Sequence, residues 1–262
     1  DSLRSPLTPD VRQQTKAMLF FSTLLVLGLV ARTPPPPDRP VAGTYSLSDG
    51  FDLLASITLR DTGEFVFSWE GCTGPIASAT GVYTADDLTV RLTPHESSFR
   101  QDIRTFSSRL LRVRWGPRDY LIPEERMLEF ANAVNAGIEP RTPGFGLFYL
   151  RNAGTAPLVG GLPDLPAVWR PYLLPAPLRG RVTRVLQRET RHLRPIVVID
   201  AGSSAGLRPG MTLFAFNPRR PSFGAYLVIT SVSENTAEVR VTLQYRHIRV
   251  GDTWSSRKPT AA

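Results

Sequence analysis

The sequence predicts a mainly β protein: two small β-barrel or sandwich domains, the first with one packed α-helix, behind an N-terminal apolar helix. Three observations predict it. Apolar residues recur at every second position in several short runs, turns bearing glycine or aspartate separate those runs, and two proline-rich stretches divide the chain. With 262 residues there is room for two modest domains, each able to bury a core. A hydrophobic content of 42% beside 21% charged residues is that of a globular chain.

Residues 1–33 read as a stub followed by a signal peptide or membrane anchor. Ala17 to Ala31 carries no charge, follows Arg12 and Lys16, and is closed by Arg32 and the prolines Pro34 to Pro37. A helix through this run spans about 22 Å at about 1.5 Å per residue, short of the roughly 30 Å hydrocarbon core and suited to a signal-peptide h-region. Leu29 stands where a cleavage site wants a small residue, so an uncleaved anchor holding the membrane through residues 17–31 is the alternative. No cysteine follows the run, which excludes a lipoprotein anchor. Both readings place the chain beyond Thr33 outside the cytoplasm: periplasmic, secreted or membrane-anchored.

Residues 34–40 form a proline-rich spacer, since proline lacks the donor that a helix or central strand requires. The first domain covers residues 41–155. Ile57 and Leu59, then Phe65, Phe67 and Trp69, alternate with polar residues, which marks strands with one buried face; Asp61-Thr62-Gly63 between them is a hairpin turn. Thr80 to Leu92 repeats the pattern about an Ala85-Asp86-Asp87 turn, and Arg109 to Trp115 is a further strand. Pro123 fits a first helical position with Glu124 and Glu125 at the positive end of the dipole. Met127, Leu128, Phe130, Ala131 and Val134 give an apolar face, and Gly137 ends the helix.

The repeated GxYxL, GxFxF and LxVxL segments of this meander resemble the small lipocalin-like domains of bacterial secreted proteins, and residues 113–141 resemble a segment of uncharacterised bacterial exported proteins. The first resemblance implies a barrel able to carry a small apolar ligand; the second implies no activity.

Residues 156–177 hold six prolines from Pro157 to Pro177 and form a linker over which Trp169 and Tyr172 pack down. The second domain covers residues 178–256, with a tail at 257–262. Its strands lie in GRVTRVLQRE, RPIVVID, MTLFAFN, AYLVITSVS and AEVRVTLQY, with Pro209-Gly210 as a turn and Glu234-Asn235 as a hairpin tip. The order from Val197 to Trp254, with its turn glycines and the late Gly251-Asp252, resembles the small β-barrel modules of flagellar-assembly and rod-shape-determining envelope proteins. That resemblance implies a scaffold or contact role. The prolines between the domains predict that the two fold separately.

Lys16 and Lys258 are the only lysines, so arginine supplies nearly all of the 31 basic side chains behind the net charge of +8. Arg60, Arg91, Arg118, Arg151 and Arg240 are spread along the chain, so no nucleic-acid partner is expected. Cys72 is the only cysteine, which excludes an intramolecular disulfide and a cysteine-built zinc site; it is expected to be a small buried hydrophobe beside Trp69. His95, His192 and His247 lack ligand spacing, and no glycine-rich loop opens a helix, so neither a metal nor a cofactor is expected.

Two motifs touch on catalysis. Gly202-Ser203-Ser204-Ala205-Gly206 matches a nucleophile elbow, with His247 as formal base and Glu234 or Glu238 behind it. A proline-glycine turn follows where the helix should begin. Asp200 in Asp-Ala-Gly-Ser approaches an aspartic-protease loop, with Asp61 in a second Asp-x-Gly, yet it lacks the hydroxyl residue next in line, and that chemistry needs paired carboxylates. The expected function is therefore non-enzymatic, with no catalytic residue: an exported or envelope-associated binding or scaffold module for a protein or cell-wall partner. Trp69, Tyr83, Trp115 and Trp169 are the candidate contacts. The alternatives are the lipocalin-like carrier and a hydrolase using Ser204 or Asp200.

Overall fold

The apolar face of an alternating strand is buried when another layer covers it or when the sheet closes on itself, and here the chain does the latter twice. The structure is a computed structural model that describes residues 40–48, 54–99, 106–140, 148–152, 160–187, 194–217, 220–244 and 247–259. The apolar run 17–31, residues 34–39 of the spacer and His192 lie outside these. Among the described residues, no helix is long and apolar enough to cross a membrane.

The first barrel is made of β1 (Gly43–Ser48), β2 (Leu54–Leu59), β3 (Glu64–Gly71), β4 (Gly74–Ala85), β5 (Thr89–Phe99), β6 (Arg109–Trp115), β7 (Arg118–Pro123) and β8 (Tyr149–Arg151). Each strand pairs with the next, and β8 closes on β1. Ile57 opposite Phe67, and Phe67 opposite Ala79, put one layer of side chains inside. Phe65, Phe67, Val90, Leu110 and Tyr149 fill the interior, where Phe106 meets Phe67 edge-on at 5.2 Å. In the turn between β4 and β5 the Asp86 carboxylate accepts the amides of Leu88 (2.8 Å) and Thr89 (2.7 Å), which hold its carboxyl below the usual range.

The outward side chains of β6 to β8 are apolar too: Leu111, Val113, Tyr120, Ile122 and Leu150 are covered by α1 (Met127–Ala136). Phe130 lies edge-on to Tyr120 at 5.3 Å and to Phe148 at 5.2 Å. Pro123 ends β7 instead of opening the helix; a 3-10 turn over Glu124–Arg126 intervenes. Strands β7 and β8 escape a search for alternation for a physical reason. Tyr120, Leu121 and Ile122 are all buried because one face of β7 lines the barrel and the other meets the helix.

The second barrel contains β9 (Arg179–Gln187), β10 (Ile196–Ile199), β11 (Thr212–Asn217), β12 (Arg220–Val232), β13 (Ala237–Gln244) and β14 (Thr253–Ser255), closed in the order β10-β13-β12-β11-β14-β9. Val182, Val197, Ile199, Leu213, Leu227, Val239 and Trp254 form its core. The mainly β class, the two barrels and the packed helix thus match the sequence expectation. β14, three residues long, is too short to show a period.

Two local expectations change. Cys72 is exposed: it occupies the turn between β3 and β4, beyond the last inward-facing position of either strand. Residues 160–178 are built into the fold and do not run free. Leu165 joins the cluster under α1, Leu174 enters the second core, and the Asp164 amide donates to the Arg114 carbonyl at 3.0 Å. Both barrels belong to one compact unit, Pro40–Ala262.

Candidate functional site

Helix α1 has two working faces. Met127, Phe130, Ala131 and Val134 pack on the first barrel, whereas Leu128, Asn132 and Asn135, spaced i, i+4, i+7, form a second stripe toward the other barrel and the linker. Asn132 donates from Nδ2 to the Gly210 carbonyl at 3.1 Å and accepts the Thr212 amide at 3.0 Å. Asn135 donates to the Tyr172 carbonyl at 2.9 Å and accepts the Leu174 amide at 2.9 Å. An amide side chain presents one donor and one acceptor side by side, as the backbone of a neighbouring strand does, so each asparagine pairs with a backbone segment at both ends.

The helix ends in a left-handed residue, Gly137, at φ 68°. The Gly137 amide bonds the Val134 carbonyl and the Ile138 amide bonds the Ala133 carbonyl, both at 3.0 Å. Glycine is needed here twice over. A side chain at this φ is strained, and a Cβ would stand 2.7 Å from Arg257 Nε and 3.2 Å from its Cζ. The bare backbone lets the Arg257 guanidinium lie against the helix end. The Lys258 amide donates to the Ala136 carbonyl at 3.0 Å, which secures the tail there.

These elements enclose a cleft of about 420 Å³ between the end of α1, residues 160–162 and residues 174–177. Trp115, Ile138, Leu162, Leu174, Pro175 and Pro177 make its walls apolar, and Asn135, Glu139 and Arg257 are its side chains with strong polar groups. The Asn135 amide is occupied on both sides by the linker backbone. Glu139 is paired with Arg118, a guanidinium only 3% exposed whose ionised form Tyr120 and Glu139 both favour. Trp115 Nε1 donates to the Gly161 carbonyl at 3.1 Å, which fixes the indole as a wall. Arg257 has no side-chain hydrogen bond or ion pair among the described residues.

Of the four aromatic residues singled out in the sequence, only Trp115 lines this cleft. Trp169 packs against Tyr172 (ring centroids 5.6 Å apart) on the same cluster beneath α1. Trp69 and Tyr83 belong to the first barrel, half-buried against its interior. The Tyr83 hydroxyl donates to the Arg60 carbonyl at 2.8 Å, and the buried Trp69 Nε1 has no hydrogen-bond partner among the described residues.

The two catalytic motifs are held by backbone. Ser204 donates from Oγ to the Glu234 carbonyl at 2.7 Å and also meets Asn235 Oδ1 at 3.2 Å, at the β12–β13 hairpin. His247 follows the opposite end of β13, whose eight residues span about 26 Å. Gly202 has no room for a side chain, since a Cβ would stand 2.1 Å from the Ser233 carbonyl oxygen. Asp200 Oδ1 accepts Trp254 Nε1 at 2.8 Å and the Arg181 amide at 2.7 Å, while Asp61 lies in the β2–β3 turn of the other barrel. Among the described residues, no group of three or more His, Cys, Asp or Glu side chains could hold a metal ion.

The barrel boundaries also expose a charge asymmetry. Residues 178–259 contain 14 of the 31 basic residues and 5 of the 23 acidic ones, so the whole positive excess of the chain lies in this segment of the sequence. Comparison with family models, with curated proteins and with solved structures returns no match.

Proposed function

We propose that this chain is a non-enzymatic binding module that works outside the cytoplasm and presents the junction of its two barrels to a protein or cell-wall partner. The observation that carries this reading is the cleft beside Trp115: its walls are fixed by hydrogen bonds, and its one uncommitted charged group is at its edge. Hydrolysis by Ser204 or Asp200 is the weaker reading, because both side chains hold neighbouring backbone. The lipocalin-like carrier is weaker too, since Phe65, Phe67 and Phe106 occupy the interior a ligand would need. In this reading the sequence resemblance from Val197 to Trp254 to modules of envelope assemblies supports a contact role.

A photoreactive amino acid at Leu162, 48% exposed at the rim, tests the site against the same group at Leu88, 53% exposed on the far turn of the first barrel. Discrete adducts from residue 162 and none from residue 88 are expected in cells; equal labelling from both positions would remove the cleft as the binding site. Export rests on the uncharged run 17–31 behind Lys16. A periplasm-dependent reporter fused after Pro40 is expected to be active, and activity of a cytoplasm-dependent reporter at that position would end the extracytoplasmic reading.

A further inference from the structure

We propose that the cleft recognises an apolar or aromatic group bearing a single anionic head, with Trp115 and Leu162 against the body and Arg257 against the charge. The inference rests on the binding reading above and names the chemistry that the ligand must present. About 420 Å³ is within the range that takes a small organic molecule or the last residues of a peptide, and sites of this kind favour junctions between domains. Charge decides which molecule. Glu139 is neutralised by Arg118 and Asn135 is neutral, with both ends of its amide holding linker backbone, so the one charge at the cleft without a partner among the described residues is positive.

The end of α1 accounts for part of Arg257's placement, because a cation complements the negative end of a helix. No side-chain hydrogen bond or ion pair of Arg257 occurs among the described residues, and a guanidinium fork offers two parallel donors to a carboxylate or sulfonate. Without a Cβ, Gly137 leaves room for the guanidinium against the helix end. The positive excess on the second barrel favours approach of an anion to this side of the molecule.

The probe is 8-anilinonaphthalene-1-sulfonate, a naphthalene with one sulfonate, with its uncharged analogue N-phenyl-1-naphthylamine for comparison. The full chain is expected to bind the sulfonate dye at one site with fluorescence enhancement. Arg257→Gln is expected to weaken that binding about tenfold, the loss of one charge-assisted pair, and to leave the uncharged dye unaffected. Arg257→Lys should recover part of the affinity. Arg249→Gln, a control at an exposed arginine outside the cleft, should change nothing. Leu162→Asp should weaken the charged dye more than the neutral one. Thermal melts of each variant confirm that it is folded, since unfolded or loosened protein binds such dyes unspecifically.

Two displacing ligands separate the sources of the anion. Displacement by N-acetyl-Leu-Phe but not by its carboxyl-terminal amide assigns the cleft to a peptide end; displacement by 2-naphthoate alone assigns it to a free organic acid. Either result supports the proposal. Unchanged dye binding by a folded Arg257→Gln, or binding at many equivalent sites, overturns it. If residue 162 still gives discrete adducts in that case, the ligand chemistry fails and the binding-module reading stands. If neither adducts nor dye binding is seen, both fail.

Discussion

Trp254→Ala is expected to lower the stability of the second barrel by about 3–5 kcal/mol, the cost of removing a large side chain from a closed core. Trp254 is 0% exposed, and it lies on β14, the short strand that joins β11 to β9 and closes the barrel. Its indole N–H is inside the protein and has one acceptor, Asp200 Oδ1. Asp200→Ala leaves that donor unsatisfied and is expected to cost about 1–3 kcal/mol, whereas Asp200→Asn keeps an oxygen in place and should cost less than about 1 kcal/mol. Urea unfolding followed by far-UV circular dichroism measures all three. This order assigns Asp200 to structure. A Trp254→Ala barrel that unfolds at the wild-type midpoint would mean that β14 does not close the sheet.

Asn135→Ala is expected to cost about 2–4 kcal/mol, more than its small volume suggests, because it strands two backbone groups at once. The Tyr172 carbonyl and the Leu174 amide both lose their partner, and Leu174 is buried where water does not reach. Asn132→Ala, at a part-buried position, is expected to cost about 1 kcal/mol. Combined, the two substitutions remove all four amide–backbone bonds from the helix stripe that faces the second barrel and the linker. Calorimetry of the double variant should then resolve two transitions where the wild type shows one. A single transition at the wild-type temperature would place the coupling in the apolar contacts of Leu165, Tyr172 and Leu174 instead. The prolines of residues 160–178 suggest independent folding, yet proline removes donors only at its own positions; Asp164, Trp169 and Leu174 keep theirs and use them.

The barrels are legible because their period is local. Phe65 and Phe67, and likewise Val239 and Val241, are spaced as in a strand with one buried face, and Gly63 and Glu234-Asn235 mark where the chain reverses. The helix is legible from Met127, Phe130 and Val134 and from the Gly137 cap. Its second stripe is not, although two asparagines in a helix interior are a local departure from good helix formers and so a signal of something outside the helix.

The sequence by itself determined the β class, the position of most strands and the turns, since each depends on residues near one another in the chain. Only the tertiary structure decided the candidate site. Trp115, Asn135, Leu162 and Arg257 come from a strand, a helix, a linker and the tail, and no spacing connects them. The packing of α1 between two closed sheets brings them together, and side chains so far apart in sequence have no local energy term that could announce their meeting.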